Sequence, residues 1–353
     1  MKYAPFVVPT LNRSEHFIRM MESLKRNLWA CYTDVIVSVD YPPSEAYRKG
    51  WQEICDYLDN GDFSVFHQFI VIKQSKNLGA GKNGYFLEDY IKQHYDRWIR
   101  CDDDCVFSPN FLEYMDKCLD RFENDEDVIG VTGYSYPVEW SASDGATCMK
   151  QQFNVSTWGL GRWVKKHDKV AAYLRSGKML DDVEMVVRTG RHKKMQTRCY
   201  VQYINQAAND RNSLVKAYMK GVSDIGLRAC LCCQDKYCVS PMLSKVRNYG
   251  FDGSGVICRS TIGLDNRTVN TYDYRHQKID TSEHFDIVLN DDKLLAENKS
   301  KLDAFEGIPK RIIWITDIKV LIIRLFGIKF TKRLDRALVA IIKTMGLRKS
   351  KTS

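Results

Sequence analysis

The stretch WIRCDDDCVFSP, residues 98–109, sets Asp102, Asp103 and Asp104 between a short apolar run and a Ser-Pro helix start. Neighbouring carboxylates raise one another's pKa and cost stability unless a cation, a hydrogen-bond network or open water relieves them. Magnesium and manganese take oxygen ligands, usually one or two carboxylates plus substrate phosphates, and such an ion can neutralise charge developing on a departing diphosphate. Two carboxylates at i and i+2 on a strand-end turn can divide that labour. One accepts from ribose hydroxyls, the other binds metal, and the third stays in an outer shell or in water. Taken alone, the triplet fits an exposed acidic turn equally well.

Two other patterns compete. GAGKNG (79–84) matches G-x-G-x-x-G, with Asp104 twenty residues beyond Gly84. That dinucleotide fingerprint needs a strand running straight into its first glycine, and here KQSKN intervenes after FIVI. DDDCV also satisfies the D-x-D-x-V of haloacid-dehalogenase-type phosphatases, with Asp102 as nucleophile, Asp104 as acid/base and Asp181 and Asp182 as a later acidic pair. In those enzymes the motif follows the first strand of its domain; here it follows about the fourth.

The elements that must position these residues alternate. APFVV (4–8), DVIVSV (34–39), FHQFIVI (66–72), RWIRC (97–101) and VIGVTG (128–133) read as strands. Phe17, Met20, Met21, Leu24 and Leu28 fall at helical spacing, and 44–58, 84–96 and 109–122 are similar. The pattern predicts an α/β fold with a mostly parallel sheet and helices on both faces. Ligands in such sheets sit beyond the carboxyl ends of the strands, which is where PTLNR, Asp40, KNLGAGKNG and the aspartates fall. Residues 134–285 are less regular and read as loops laid over the sheet edge.

PTLNRSEHFIRMMESL, VIVSVD, KNLGAGKNG and CDDDCVFSPNFLEYM resemble the successive nucleotide-binding elements of GT-A type glycosyltransferases. STWGLGRWVKKHDK (156–169) and SKVRNYGFDGSGVIC (244–258) resemble the S-x-W-G-x-x-x-W and N-x-G-F-D-G-S-G segments of a bacterial branch of family 2 glycosyltransferases. The resemblance runs in order over roughly residues 3–260 and implies a metal-dependent, inverting transferase that uses a nucleotide sugar such as a UDP-sugar. It implies that Thr10, Arg13 and Asp40 line the base and ribose pocket, with Asp40 accepting from the base. Asn77, Gly79 and Lys82 approach the nucleotide. Asp102 takes the ribose side, Asp104 binds Mn2+ or Mg2+, and Asp103 is the member least expected to touch the ligand. An inverting transfer needs a carboxylate base for the acceptor hydroxyl, and SDIGLRA (223–229) offers Asp224, with Asp181, Asp182 and Glu184 as runners-up. Trp158 and Trp163 either stack on sugar faces or fill the core. The chain departs from the branch at Ile225 and Gly226, where it has serine and tryptophan, and at Ile257, where it often has histidine.

Charge is uneven. Lys and Arg number 53 against 44 Asp and Glu, while residues 310–353 hold twelve basic and two acidic side chains, so the other 309 residues sum to −1. A neutral body argues against a nucleic-acid protein. Leu334, Ala337, Leu338, Ile341, Ile342 and Met345 make a helical stripe opposite Lys332, Arg333, Arg336 and Lys343. A basic amphipathic helix of this kind predicts adsorption to an anionic membrane surface, whereas IIWITDIKVLIIRLF is too short and too charged to span one. The start MKYAPFVVPTLN lacks signal-peptide features, and twelve scattered cysteines suit a reducing cytoplasm. CLCCQDKYC (230–238) lacks paired zinc spacing and reads as buried thiols. The expected organisation is a catalytic domain over 1–285, with a nucleotide-sugar half to 133 and an acceptor half beyond it, then a membrane-associating helical tail over 286–353. The protein is expected to lie on the inner face of the cell membrane and to act on a cell-envelope glycan or lipid-linked acceptor.

Overall fold

The computed structural model describes residues 1–209, 213–255 and 278–344. Ile257, Cys258 and Met345 fall outside them, as do the side chains of Leu338, Ile341, Ile342 and Lys343. The chain divides into two compact units, one of residues 1–169 with 237–305, the other of 170–236 with 306–353. The segment 286–353 is thus shared between the two.

The first unit is built on an eight-stranded sheet of β1 (Phe6–Thr10), β2 (Asp34–Val39), β3 (Gln68–Lys73), β4 (Arg97–Arg100), β6 (Val128–Thr132), β7 (Cys148–Gln151), β8 (Leu160–Trp163) and β9 (Tyr237–Pro241). Its order is β3-β2-β1-β4-β8-β6-β9-β7. β1 pairs in parallel with β2 and β4, and β2 with β3. β8 lies antiparallel between β4 and β6, and β7 runs antiparallel to β9. A two-residue side-chain period sends alternate residues to opposite faces. Phe6, Val8, Val35, Val37 and Val39 pack with Phe17 and Met20 of α1 (Ser14–Lys25), Ile54 of α2 (Arg48–Asn60) and Phe111 and Met115 of α4 (Phe111–Arg121). Val7 and Ile36 pack on the other face with Leu87 and Ile91 of α3 (Ala80–His94). The expected mostly parallel sheet with helices on both faces is therefore present.

Two local expectations change. α1 stops at Lys25, so Leu28 lies beyond it and is exposed, its N–H bonded to the Pro109 carbonyl at 3.3 Å. Residues 134–285 are not mainly loops: their described part supplies β7, β8 and β9 to the large sheet, one further short strand and a run of helices. β8 was hidden because LGRW is short and its partners lie far away in sequence.

In the second unit, α5 (Val164–Ser176) continues from the first, followed by α6 (Lys178–Asp181), α7 (Val183–Arg188), α8 (Thr197–Asn209), α9 (Ser213–Lys220), α10 (Asp224–Cys233) and α12 (Lys310–Thr344); α11 (Leu295–Glu306) closes the first unit. α7 and α8 pack against α12. α12 is broken at Gly327, whose φ of 78° is the left-handed conformation that glycine tolerates best. Lys319 Nζ lies 3.8 Å from Asp335 Oδ1. A straight helix would hold those residues about 24 Å apart, so the two halves fold back on each other. Cys230, Cys232, Cys233 and Cys238 are buried thiols, as expected of small apolar groups. Among the described residues no helix is long and apolar enough to cross a membrane.

α4 carries a buried carboxyl, Asp116, that accepts from the Ala4 N–H at 2.8 Å and has no partner on Oδ2. Burial pushes it up to about 7 against the pull of that hydrogen bond and of Arg97. A folded-state pKa raised above the unfolded value makes the native state bind more protons, so stability falls as pH rises from about 4 to about 7 and is flat beyond. About three pKa units correspond to about 4 kcal/mol. Asp116→Asn should remove that slope, a result read from urea unfolding between pH 4 and 8; parallel curves for both proteins would refute it.

Candidate functional site

The carboxyl ends of β1, β2 and β4 gather the residues that sequence spacing singled out. Thr10 Oγ1, at the end of β1, donates to Asp103 Oδ2 at 2.8 Å. Arg13, just before α1, forms an ion pair with Asp103 through Nη2 and reaches Asp104 Oδ2 through Nη1 at 2.9 Å. Asp103 and Asp104 are both buried, and Asp102 is half-buried. Burial raises the Asp103 carboxyl above its ordinary value, outweighing Arg13, while the charge of Asp104 adds to the rise. Burial would lower the Arg13 guanidinium, but the two carboxylates prevail and raise it. Asp103, the member least expected to touch a ligand, is the one bound by both Thr10 and Arg13.

The late glycine motif arrives by a separate route. β5 (Cys105–Phe107) pairs antiparallel with β10 (Val246–Asn248), setting Asn248 opposite Cys105. Asn248 Nδ2 donates to Asp104 Oδ1 at 2.8 Å, and the Tyr249 N–H to the Asp104 carbonyl at 2.8 Å. A Cβ on Gly250 would sit 2.0 Å from Asp104 Oδ2, so only glycine leaves the carboxylate its place. Asp252 meets His16 Nε2 at 2.8 Å and accepts from Ser254. Burial would raise its carboxyl, yet the hydrogen bonds from Ser254 and the His16 contact hold it at about 2. Asn248, His16 and Asp252 were not among the expected site residues, although the motif NYGFDGSG pointed to two of them.

Asp40 is almost fully buried and accepts from the Leu78 and Gly79 N–H groups at 2.8 Å each, from the Tyr41 N–H at 2.9 Å and from Asn77 Nδ2 at 3.3 Å. Its carboxylate holds the loop that enters α3. Asn83, one turn into α3, fixes the same loop from below: its Oδ1 accepts from Ser38 Oγ at 2.5 Å and its Nδ2 donates to the Ser38 carbonyl at 3.1 Å. Neither Asn83 nor Ser38 was expected. Farther along α3, Glu88 meets Lys92 at 3.0 Å and His167 at 2.9 Å. Asn77 and Lys82 are exposed, and Gly79 is the N-cap of α3.

Trp163 is core, its Nε1 donating to the Leu119 carbonyl at 3.2 Å. Trp158 is half-buried, with Tyr134 and Phe251 edge-on at 4.7 and 5.8 Å. Asp224 belongs to the second unit, half-buried in the first turn of α10 and 3.9 Å from Arg228. Asp182 there accepts from the Tyr173 hydroxyl at 2.9 Å, and Glu184 accepts from the Ile328 N–H at 2.6 Å, capping the second half of α12.

Asp103 and Asp104 share the one guanidinium of Arg13. Among the described residues no group of three or more His, Cys, Asp or Glu side chains is arranged to hold a metal ion. A divalent ion bound through one carboxylate and completed by substrate phosphates, the usual magnesium arrangement, would have to share Asp104 with Asn248 on Oδ1 and Arg13 on Oδ2.

No family model matches the chain, and no curated protein does either. Among solved structures, S. aureus TarS 1–349 aligns over 48% of this chain and 50% of its own, at 14% identity and a TM-score of 0.33. Mannosyltransferase PcManGT from Pyrobaculum calidifontis, in complex with GDP-Man and Mn2+, aligns over 38% and 37%, at 14% identity and a TM-score of 0.29. A cytidylyltransferase from Leptospira borgpetersenii aligns over 49% and 64%, at 15% identity and a TM-score of 0.29. The chain thus spans half or less of the first two and under two thirds of the third. Likenesses at this level add nothing to the α/β architecture that the strand order already establishes.

Gly250→Ala should cost about 1–3 kcal/mol, as overpacking at a closed site does, because the new methyl must displace the Asp104 carboxylate. Chemical denaturation measures this, and an unchanged midpoint would mean that the loop does not pack on Asp104 as described.

Proposed function

We propose that this protein is a metal-dependent glycosyltransferase that moves a sugar from a nucleotide-sugar donor, in the first instance a UDP-sugar, with inversion at the anomeric carbon. One observation carries the reading: at the carboxyl ends of parallel strands, Thr10, Arg13 and the Asn248–Gly250 loop converge on Asp103 and Asp104. Mn2+ or Mg2+ held by Asp104 would supply positive charge to the diphosphate that leaves.

The remaining roles belong to the chain itself. Asp103 keeps Arg13 and Thr10 in place, so the guanidinium stays beside the acidic turn with its charge fixed before any ligand enters. Asp102, the more exposed neighbour, faces the ribose hydroxyls. Asp40 orders the loop of Asn77 and Gly79, which brings backbone and the Lys82 ammonium toward the nucleotide; its occupied carboxylate makes direct contact with a base the secondary role. Asp224 is the base that takes the proton from the acceptor hydroxyl. The acceptor is a cell-envelope glycan or a lipid-linked one, and the protein works at the cytoplasmic face of a membrane. The proposed organisation is a catalytic region over 1–285, with the helical tail that follows serving the membrane.

Thermal shift against a panel of nucleotide sugars, with Mn2+, Mg2+ or chelator, tests the donor site. At a hundredfold excess over Kd a bound donor adds about 2.7 kcal/mol to stability, and this gain should need metal and vanish in Asp104→Ala. No shift with any donor, together with hydrolysis of a generic phosphate ester, would replace this reading with a phosphatase centred on Asp102. Asp224→Asn should retain donor binding and lose turnover; wild-type turnover in that variant would remove Asp224 from the mechanism.

A further inference from the structure

The first half of α12 buries Thr316 and Ile323 and leaves Trp314, Ile318, Leu321 and Leu325 exposed by 64, 38, 55 and 62%. Spacings of four, three and four residues place those four on one helix face. They form a continuous apolar stripe rather than scattered exposed residues. Phe326 and Phe330, both exposed and with ring centroids 5.1 Å apart, flank the break at Gly327. A stripe of this length exposed to water marks a surface that something covers.

At its edge lies a cleft of about 380 Å³ lined by Arg188, Gly190, Lys193, Asp317, Leu321 and Arg324. Leu321 belongs to both features, so the cationic cleft opens beside the apolar stripe. The cleft has three cationic side chains against one carboxylate, and Asp317 Oδ1 already accepts from the Tyr200 hydroxyl at 2.5 Å. Glu184, 4.0 Å from Arg188, is spent on the Ile328 N–H. The cleft is therefore net positive and of a size to admit a phosphate group.

This combination selects its occupant. In a symmetric pair of chains the same patch faces itself, which would bring two positive clefts together. A bilayer with anionic headgroups offers apolar depth and phosphate within one surface, and amphipathic helices with Trp on the apolar face and cations beside it lie in that interface. We propose that this face of the second unit docks on an anionic lipid bilayer, the stripe of Trp314, Ile318, Leu321 and Leu325 entering the headgroup boundary and the cleft of Arg188, Lys193 and Arg324 taking a headgroup phosphate. The inference deepens the membrane part of the function proposed above and does not depend on the transfer chemistry.

Flotation of the full chain with vesicles of phosphatidylcholine, alone or with one third phosphatidylglycerol, tests it. The protein should partition onto the anionic vesicles at least about tenfold more than onto the neutral ones, as expected of polybasic surface binding. Leu325→Glu and the triple variant Arg188→Glu/Lys193→Glu/Arg324→Glu should each lose most of that partition. Both alter exposed side chains, and unchanged circular dichroism and thermal midpoints would show that they fold. A control triple, Lys49→Glu/Lys165→Glu/Lys293→Glu, carries the same change of charge on exposed lysines of the first unit and should lose less. Equal partition onto both vesicle types, or wild-type partition in Leu325→Glu, would overturn the proposal, and equal loss in the two triples would remove the phosphate cleft from it. Light scattering that shows a dimer, dispersed by Leu325→Glu and blind to vesicles, would assign the stripe to a second copy instead. The nucleotide-sugar thermal shift is read separately, so failure of either reading leaves the other measurement standing.

Discussion

Two carboxylates buried side by side at the end of a strand are the constraint on which the first unit depends. Desolvation and mutual repulsion both work against Asp103 and Asp104, and a buried charge persists only with close partners and satisfied lone pairs. Arg13 supplies the charge, and Thr10 and Asn248 supply the neutral donors. Each comes from a different part of the chain, so the turn requires β1, the entry to α1 and the β5–β10 ribbon to be in place together. Removing one partner would leave a buried charge uncompensated, a larger cost than the net worth of the pair.

The same economy organises the neighbouring loop. Asp40 gathers three backbone N–H groups and an amide, while Ser38 and Asn83 tie the first turn of α3 to the end of β2. A loop of this kind would otherwise carry unsatisfied backbone donors beside the sheet. Its outer residues, Asn77 and Lys82, are left exposed on a rigid support. Loops held by a scaffold in this way are where binding residues commonly stand.

The second unit follows another logic. Its longest helix, read as a continuous apolar and basic stretch, turns back on itself because Gly327 adopts a conformation that other residues reach at a cost and because Glu184 caps the restarted half. One side of the first half packs against α7 and α8. The opposite stripe stays in water beside a positive cleft, a division of labour that hydropathy alone does not resolve, since apolar residues occur on both sides of this helix.

Much of the architecture was legible because strand and helix periods are local properties of side-chain spacing. DVIVSV coincides with β2, and the four expected helical stretches of the first unit are present with ends moved by a few residues. The carboxylate triplet and its place at a strand end were legible too. β8 was not, because a four-residue strand carries too little pattern and takes its direction from partners across the sheet. Nor was the use made of each carboxylate. Asp103 finds Arg13 from 90 residues away and Asp104 finds Asn248 from 144, while Asp40 turns to backbone donors 38 and 39 residues on. Sequence by itself determined that three adjacent carboxylates at a strand end need relief from a cation, hydrogen bonds or water, since like charge follows from residue type and spacing. Tertiary structure alone decided which partners they found, because an ion pair or hydrogen bond exists only where the folded backbone brings donor and acceptor within about 3 Å.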